Sequence, residues 1–213
     1  MKFLLYGVLS NSLFQRGILV VYLGSIGLAP SQIGVLLAIL YVATALFEVP
    51  TGLIADRFGR KLSVIVGQLI VAGALVAPTL LAGFWPFICI FVIIGLGRAM
   101  SSGADKSLFY DLLKLNNQES RYLRLLSGYQ SAVAAASGLA ILIGGLLAEI
   151  SWDIVYWSSA VALVLSVYAI ADLEELSDSR LGSIAKQGAK DYNDAESRAP
   201  RNRLVLRAQS YQL

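Results

Sequence analysis

Six long apolar runs, at about residues 3–27, 32–54, 62–82, 86–108, 122–148 and 153–171, alternate with short polar breaks along this chain. A helix that crosses a bilayer needs about 20 largely apolar residues, and each run is near that length. The breaks have chemical causes. Gly27, Leu28, Ala29, Pro30 and Ser31 close the first run, with Ser31 placed as an N-cap for the second. Residues 56–61 end the second run, and Gly83, Phe84, Trp85 and Pro86 separate the third from the fourth, with Trp85 suited to a membrane interface. Residues 116–120 form a polar loop, and residues 149–153 close the fifth run. Links this short between spans force antiparallel neighbours, because backbone in lipid must satisfy its own hydrogen bonds. The pattern predicts an all-α integral membrane protein, with six transmembrane helices in an up-down bundle over residues 1–171.

Composition agrees. The 213 residues are 57% hydrophobic and 15% charged, with a mean hydropathy of +0.69, whereas soluble domains carry about a quarter charged residues. There is no histidine, which removes Ser-His-Asp catalysis, the usual zinc sites and His-ligated haem. Cys89 is the single cysteine and cannot form an intrachain disulfide. The acids are scattered rather than clustered, and no phosphate-cradling Gly-x-x-x-x-Gly-Lys-Ser/Thr loop occurs. These features argue against an enzyme, an ATP-driven pump, a metal site or a bound cofactor. Lys2 ahead of an apolar stretch is the start of a secretory leader pattern, but no small-x-small cleavage site follows, and the apolar run resumes after Arg16. The reading is a retained first helix.

Lys and Arg set the orientation. With the N-terminus inside, the inner segments hold Lys2, Arg57, Arg60, Lys61, Lys106, Lys114, Arg121 and Arg124, while the outer links carry only Glu149 and Asp153. Both termini are therefore expected in the cytoplasm, in a multi-pass protein of the plasma (inner) membrane. Residues 172–213 hold seven acidic and seven basic residues and no further span. They read as a mobile cytoplasmic tail or the start of a central linker, with Arg198, Arg201, Arg203 and Arg207 able to meet anionic lipid. Because the basic residues follow topology, the expected partner is the lipid bilayer and not nucleic acid.

The densest set of charges lies between the second and third runs, where residues 52–61 read GLIADRFGRK. An ordinary inner loop needs basic residues, but neither Asp56 nor the two glycines. Gly52 is placed to let the second and third helices approach closely, and Gly59 to permit a sharp reversal. Arg57, Arg60 and Lys61 hold the loop at the inner surface. The segment resembles the loop between the second and third helices of major facilitator superfamily transporters, matching six of its ten positions. Upstream, Glu48, Val49, Pro50, Thr51 and Gly52 resemble the Glu-x-Pro-Thr-Gly entry of bacterial members. The resemblance implies that Asp56 and Arg57 act as a conformational latch that grips a helix of a second half.

Ionisable residues at membrane depth come next. Arg16 and Arg98 fall near the middle of their runs, and Glu48 lies about two turns before Asp56. A charge there is costly and faces a partner or a wet cavity. Arg98 resembles the fourth-helix arginine that members use for proton coupling or substrate contact, although Ser102 stands where the pattern has glycine. An intramembrane ion pair of Arg98 with Glu48 or Asp105 is an equal reading. Asn11, Gln15 and Arg16 form a polar stripe at helical spacing, which the resemblance places on the central cavity; helix–helix hydrogen bonding is the alternative. The fifth run is rich in small residues, from Gly128 and Ser131 to Gly144 and Gly145, and reads as a packing face. Ala140 and Ile141 replace the Gly-Pro pair that drug-proton antiporters carry there.

Family members have twelve helices in two halves with the substrate between them, and this chain supplies the N-terminal half. The expected function is secondary active transport of a small-molecule substrate, with efflux one possibility, by a truncated or split half that needs a second six-helix half. The alternative is a non-transporting membrane subunit that binds a partner.

Overall fold

The computed structural model describes the backbone of residues 2–115 and 122–171 and the side chains of residues 3–102 and 122–171. These residues belong to one compact unit and are helical almost throughout. The side chains of Lys2, Asp105, Lys106, Lys114 and Arg121, and the tail at 172–213, lie outside the described residues.

The first run is not one helix over 3–27. It is α1 (Lys2–Asn11), a 3-10 turn (Phe14–Gly17) and α2 (Leu19–Ser25). Three consecutive polar side chains explain the break, because each turns back onto the main chain. Ser10 Oγ and Asn11 Nδ2 donate to the Gly7 carbonyl at 3.2 and 2.9 Å, and Ser12 Oγ donates to the Val8 carbonyl at 2.7 Å. Leu13 is then extended, with φ −94° and ψ 96°. The backbone groups freed by the break find side chains of later helices. Ser137 Oγ donates to the Asn11 carbonyl at 3.2 Å, and the Phe14 N–H donates to Ser159 Oγ at 3.1 Å. Irregular backbone inside a membrane persists where protein groups satisfy it in this way.

The remaining runs are continuous helices: α3 (Pro30–Phe58), α4 (Arg60–Val76, prolonged by a 3-10 turn at Ala77–Thr79), α5 (Phe84–Leu115), α6 (Tyr122–Ile150) and α7 (Trp152–Ala171). Among the described residues, these five are long and apolar enough to cross a membrane. The cap of α3 is Ala29 and not Ser31. Pro30 occupies the first helical position, where its missing N–H costs nothing, and Gln32 Oε1 reaches back to accept the Ala29 N–H at 2.9 Å. Pro50 lies within α3, and beside it Thr51 Oγ donates to the Phe47 carbonyl at 2.6 Å.

Single residues reverse the chain twice. Ser151 separates α6 from α7, and its Oγ accepts the Asp153 N–H at 3.2 Å. Gly59 separates α3 from α4 with φ 99° and ψ 137°, a region open to glycine and closed to other residues. Gly59→Ala is therefore expected to cost about 1–3 kcal/mol. Thermal unfolding in detergent measures this, and an unchanged midpoint would show that the turn accepts a side chain.

α5 packs between α3 and α4, and α7 packs between α4 and the broken first span, against which α6 also lies. Glycines bring α4 and α5 together. A Cβ on Gly67 would stand 2.6 Å from the Gly97 carbonyl oxygen, and one on Gly97 2.7 Å from that of Gly67. Gly52 does not serve the expected close approach, since a Cβ there meets nothing within 4 Å. Leu23, Leu36, Phe87 and Leu163 fill the centre of the apolar core. Half of the apolar window of α4 is buried, against 22% for α3 and 11% for α6.

Candidate functional site

A cavity of about 130 Å³ lies among the 3-10 turn of the first span, α3, α4, α5 and α7. Leu40, Val71, Phe91 and Ile94 give it apolar walls, and Gln15, Arg16, Tyr41, Arg98 and Tyr156 are its polar lining residues. The break in the first span positions two of these. Gln15 and Arg16 sit in the 3-10 turn, held by the Arg16 N–H on the Leu13 carbonyl at 3.1 Å and the Ile18 N–H on the Gln15 carbonyl at 3.2 Å. In an unbroken helix Asn11 and Gln15 would share a face. Here Asn11 is outside the cavity lining, its amide directed to Gly7 and Ser10.

Two buried atoms of these lining residues, Gln15 Oε1 and Tyr156 Oη, have no hydrogen-bond partner among the described residues. Their side chains are 6% and 2% exposed, so each leaves a costly unmet hydrogen bond. Tyr156 packs edge-on against the Tyr22 ring at 4.9 Å, and Tyr22 donates its hydroxyl to the Pro78 carbonyl at 2.9 Å. Sequence reasoning missed Tyr156, because one tyrosine in an apolar run is indistinguishable from core.

Arg98 joins Arg16 on the cavity, and neither has an ion pair among the described residues. The Glu48–Arg98 pair is not formed. Glu48 is exposed, and its Oε1 accepts from Ser102 Oγ at 3.3 Å. The Asp105 side chain lies outside the described residues.

Ser159 ties this site to the fold, since its Oγ accepts the Phe14 N–H immediately before Gln15 and also donates to the Val155 carbonyl at 2.8 Å. Ser159→Ala is expected to cost about 1–3 kcal/mol, the desolvation of an orphaned N–H. Ser158→Ala removes a hydroxyl that, among the described residues, bonds only within α7, to the Val155 carbonyl at 3.0 Å, and is the control. Equal unfolding midpoints for the two variants would refute the role of Ser159.

The second cluster is at the α3–α4 reversal. Asp56, Arg57 and Phe58 are exposed, and the Arg57 guanidinium stands 5.7 Å from the Phe58 ring centre. Asp56 has no hydrogen bond or ion pair with a described residue. Lys61 Nζ donates to the Ala171 carbonyl at 2.7 Å, placing a cation at the negative end of α7. The loop sequence gives no signal for that contact.

Comparison with known proteins supplies the family. The profile described as Major Facilitator Superfamily matches residues 4–203. No curated protein matches the sequence. Among solved structures, a D-xylose-proton symporter superposes with a TM-score of 0.67 at 18% identity, over 92% of this chain and 52% of that one. The chain thus spans about half the length of that structure, and the likeness concerns the fold.

Proposed function

The chain belongs to the Major Facilitator Superfamily, and on that premise we propose that it forms one six-helix half of a secondary transporter for a small solute. One observation carries the reading: exposed Arg16 and half-buried Arg98 line one cavity among helices long and apolar enough to cross a membrane. Such charges are costly in lipid and mark solute or ion paths.

The second half supplies the other wall of the cavity, as a continuation of this polypeptide or as a separate chain. α6 supports this, because Ser127, Gly128, Ser131, Ala134, Ala135 and Gly138 are all exposed along it, and small residues at this density favour close helix packing. In this reading Glu48, Arg98 and Asp105 are candidates for ion coupling, and Gly52, Asp56, Arg57, Gly59, Arg60 and Lys61 form the gate loop. The basic residues put this loop, with both termini, at the cytoplasmic face of the plasma (inner) membrane, and the chain is a carrier and not an enzyme.

The test is solute flux in vesicles from native membranes, with and without the chain, under an imposed proton gradient. Gradient-driven flux that vanishes with the chain supports the proposal. Equal flux in both would sink it and favour the second reading, a non-transporting subunit bound through the exposed small residues of α6, which crosslinking would reveal.

A further inference from the structure

Arg16 and Arg98 line one cavity together with Gln15 and Tyr156, whose buried Oε1 and Oη have no hydrogen-bond partner among the described residues, and no described carboxylate lines it. Glu48 is exposed and engaged by Ser102, and Asp153 stands in the first turn of α7, outside the lining. Asp105 follows Arg98 by seven residues, about 10 Å along α5. We infer that the cavity receives a small organic anion that also carries a hydroxyl. The inference rests on the transport reading and gives its substrate class.

Each part of that ligand answers a separate feature. Guanidinium groups match carboxylates in charge and in forked geometry, so Arg16 and Arg98 take the anionic end. The Tyr156 hydroxyl, buried without an acceptor, donates to the same end. Gln15 Oε1 is an acceptor and needs a donor, which a carboxylate lacks and a hydroxyl supplies. A neutral polyol would meet Gln15 and Tyr156 but leave both charges uncompensated. A plain carboxylate would meet the arginines and leave Gln15 orphaned, at a cost equal to an unmade buried hydrogen bond.

The experiment is equilibrium binding of radiolabelled malate, succinate and D-xylose to native-membrane vesicles that carry the full chain, with vesicles lacking it as the blank. Malate and succinate differ by one hydroxyl, and xylose has hydroxyls without charge. Malate is expected to bind, succinate about tenfold more weakly, and xylose not at all. Arg16→Gln and Arg98→Gln should each weaken both acids at least about tenfold. Gln15→Leu should bring malate down to the level of succinate while succinate binds as before, which also shows that the variant is folded. Xylose binding as tightly as malate, absence of binding by either acid, or a Gln15→Leu loss shared equally by both acids would each overturn the inference. Malate binding without flux would sink the transport reading alone. Flux of a neutral solute without malate binding would sink this inference alone.

Discussion

Gly144→Leu unseats the first span and costs about 3 kcal/mol, the upper end for inserting side-chain volume into a packed interior. A Cβ at this position would fall on the Phe14 carbonyl oxygen, with the Phe14 carbonyl carbon 2.7 Å and its Cα 3.1 Å away. These are backbone atoms, so no rotamer change relieves the overlap. α6 cannot retreat without losing the Ser137 hydroxyl on the Asn11 carbonyl and the contact of Gly17 with Ile141. The expected result is a lowered thermal midpoint in detergent and faster proteolysis. Gly145→Leu is the matched control, because a Cβ there meets nothing within 4 Å, and it should stay within about 0.5 kcal/mol of the parent. If the two variants unfold alike, Gly144 is not the seat of the broken span.

Asp56→Asn abolishes transport while the chain still inserts and folds. The carboxylate is exposed and unpaired among the described residues, so its loss removes no contact with them. The substitution keeps size and hydrogen-bonding capacity and deletes only the charge. The proposed latch assigns the effect to a cationic or helix N-terminal group on the second half, gripped by Asp56 in one transport state. Flux in native-membrane vesicles should fall to background, with the chain present at parental abundance and its unfolding midpoint unchanged. Parental flux in the variant would reject the latch, and a lowered midpoint would show that Asp56 stabilises this half itself.

The helices were legible in sequence because lipid imposes one rule on all of them: about 20 apolar residues, or the run does not span. That rule placed α3, α6 and α7 within four residues of their observed bounds, whereas α5 runs seven residues past its expected end at 108, and the reversal at Gly59 followed from the only residue type that tolerates its φ. Hydropathy does not register competition for backbone hydrogen bonds, so the break after Asn11 was invisible. Ser10, Asn11 and Ser12 could equally have lain along an unbroken helix. Only Ser137 and Ser159, more than 120 residues away, make the broken form tolerable.

The candidate site divides the same way. Arg16 and Arg98 stand out by themselves, because a charge in an apolar run is anomalous wherever it points. Asn11 and Gln15 looked equivalent at helical spacing, and the break turned one onto its own helix and the other into the cavity. Tyr156 and the opposite environments of Gly144 and Gly145 depend on which helix lies alongside. Local chain chemistry and the lipid thus determined the spans, their reversals and the family. The tertiary structure alone decided which polar atoms face one another, because contacts between distant residues leave no periodic mark along the chain.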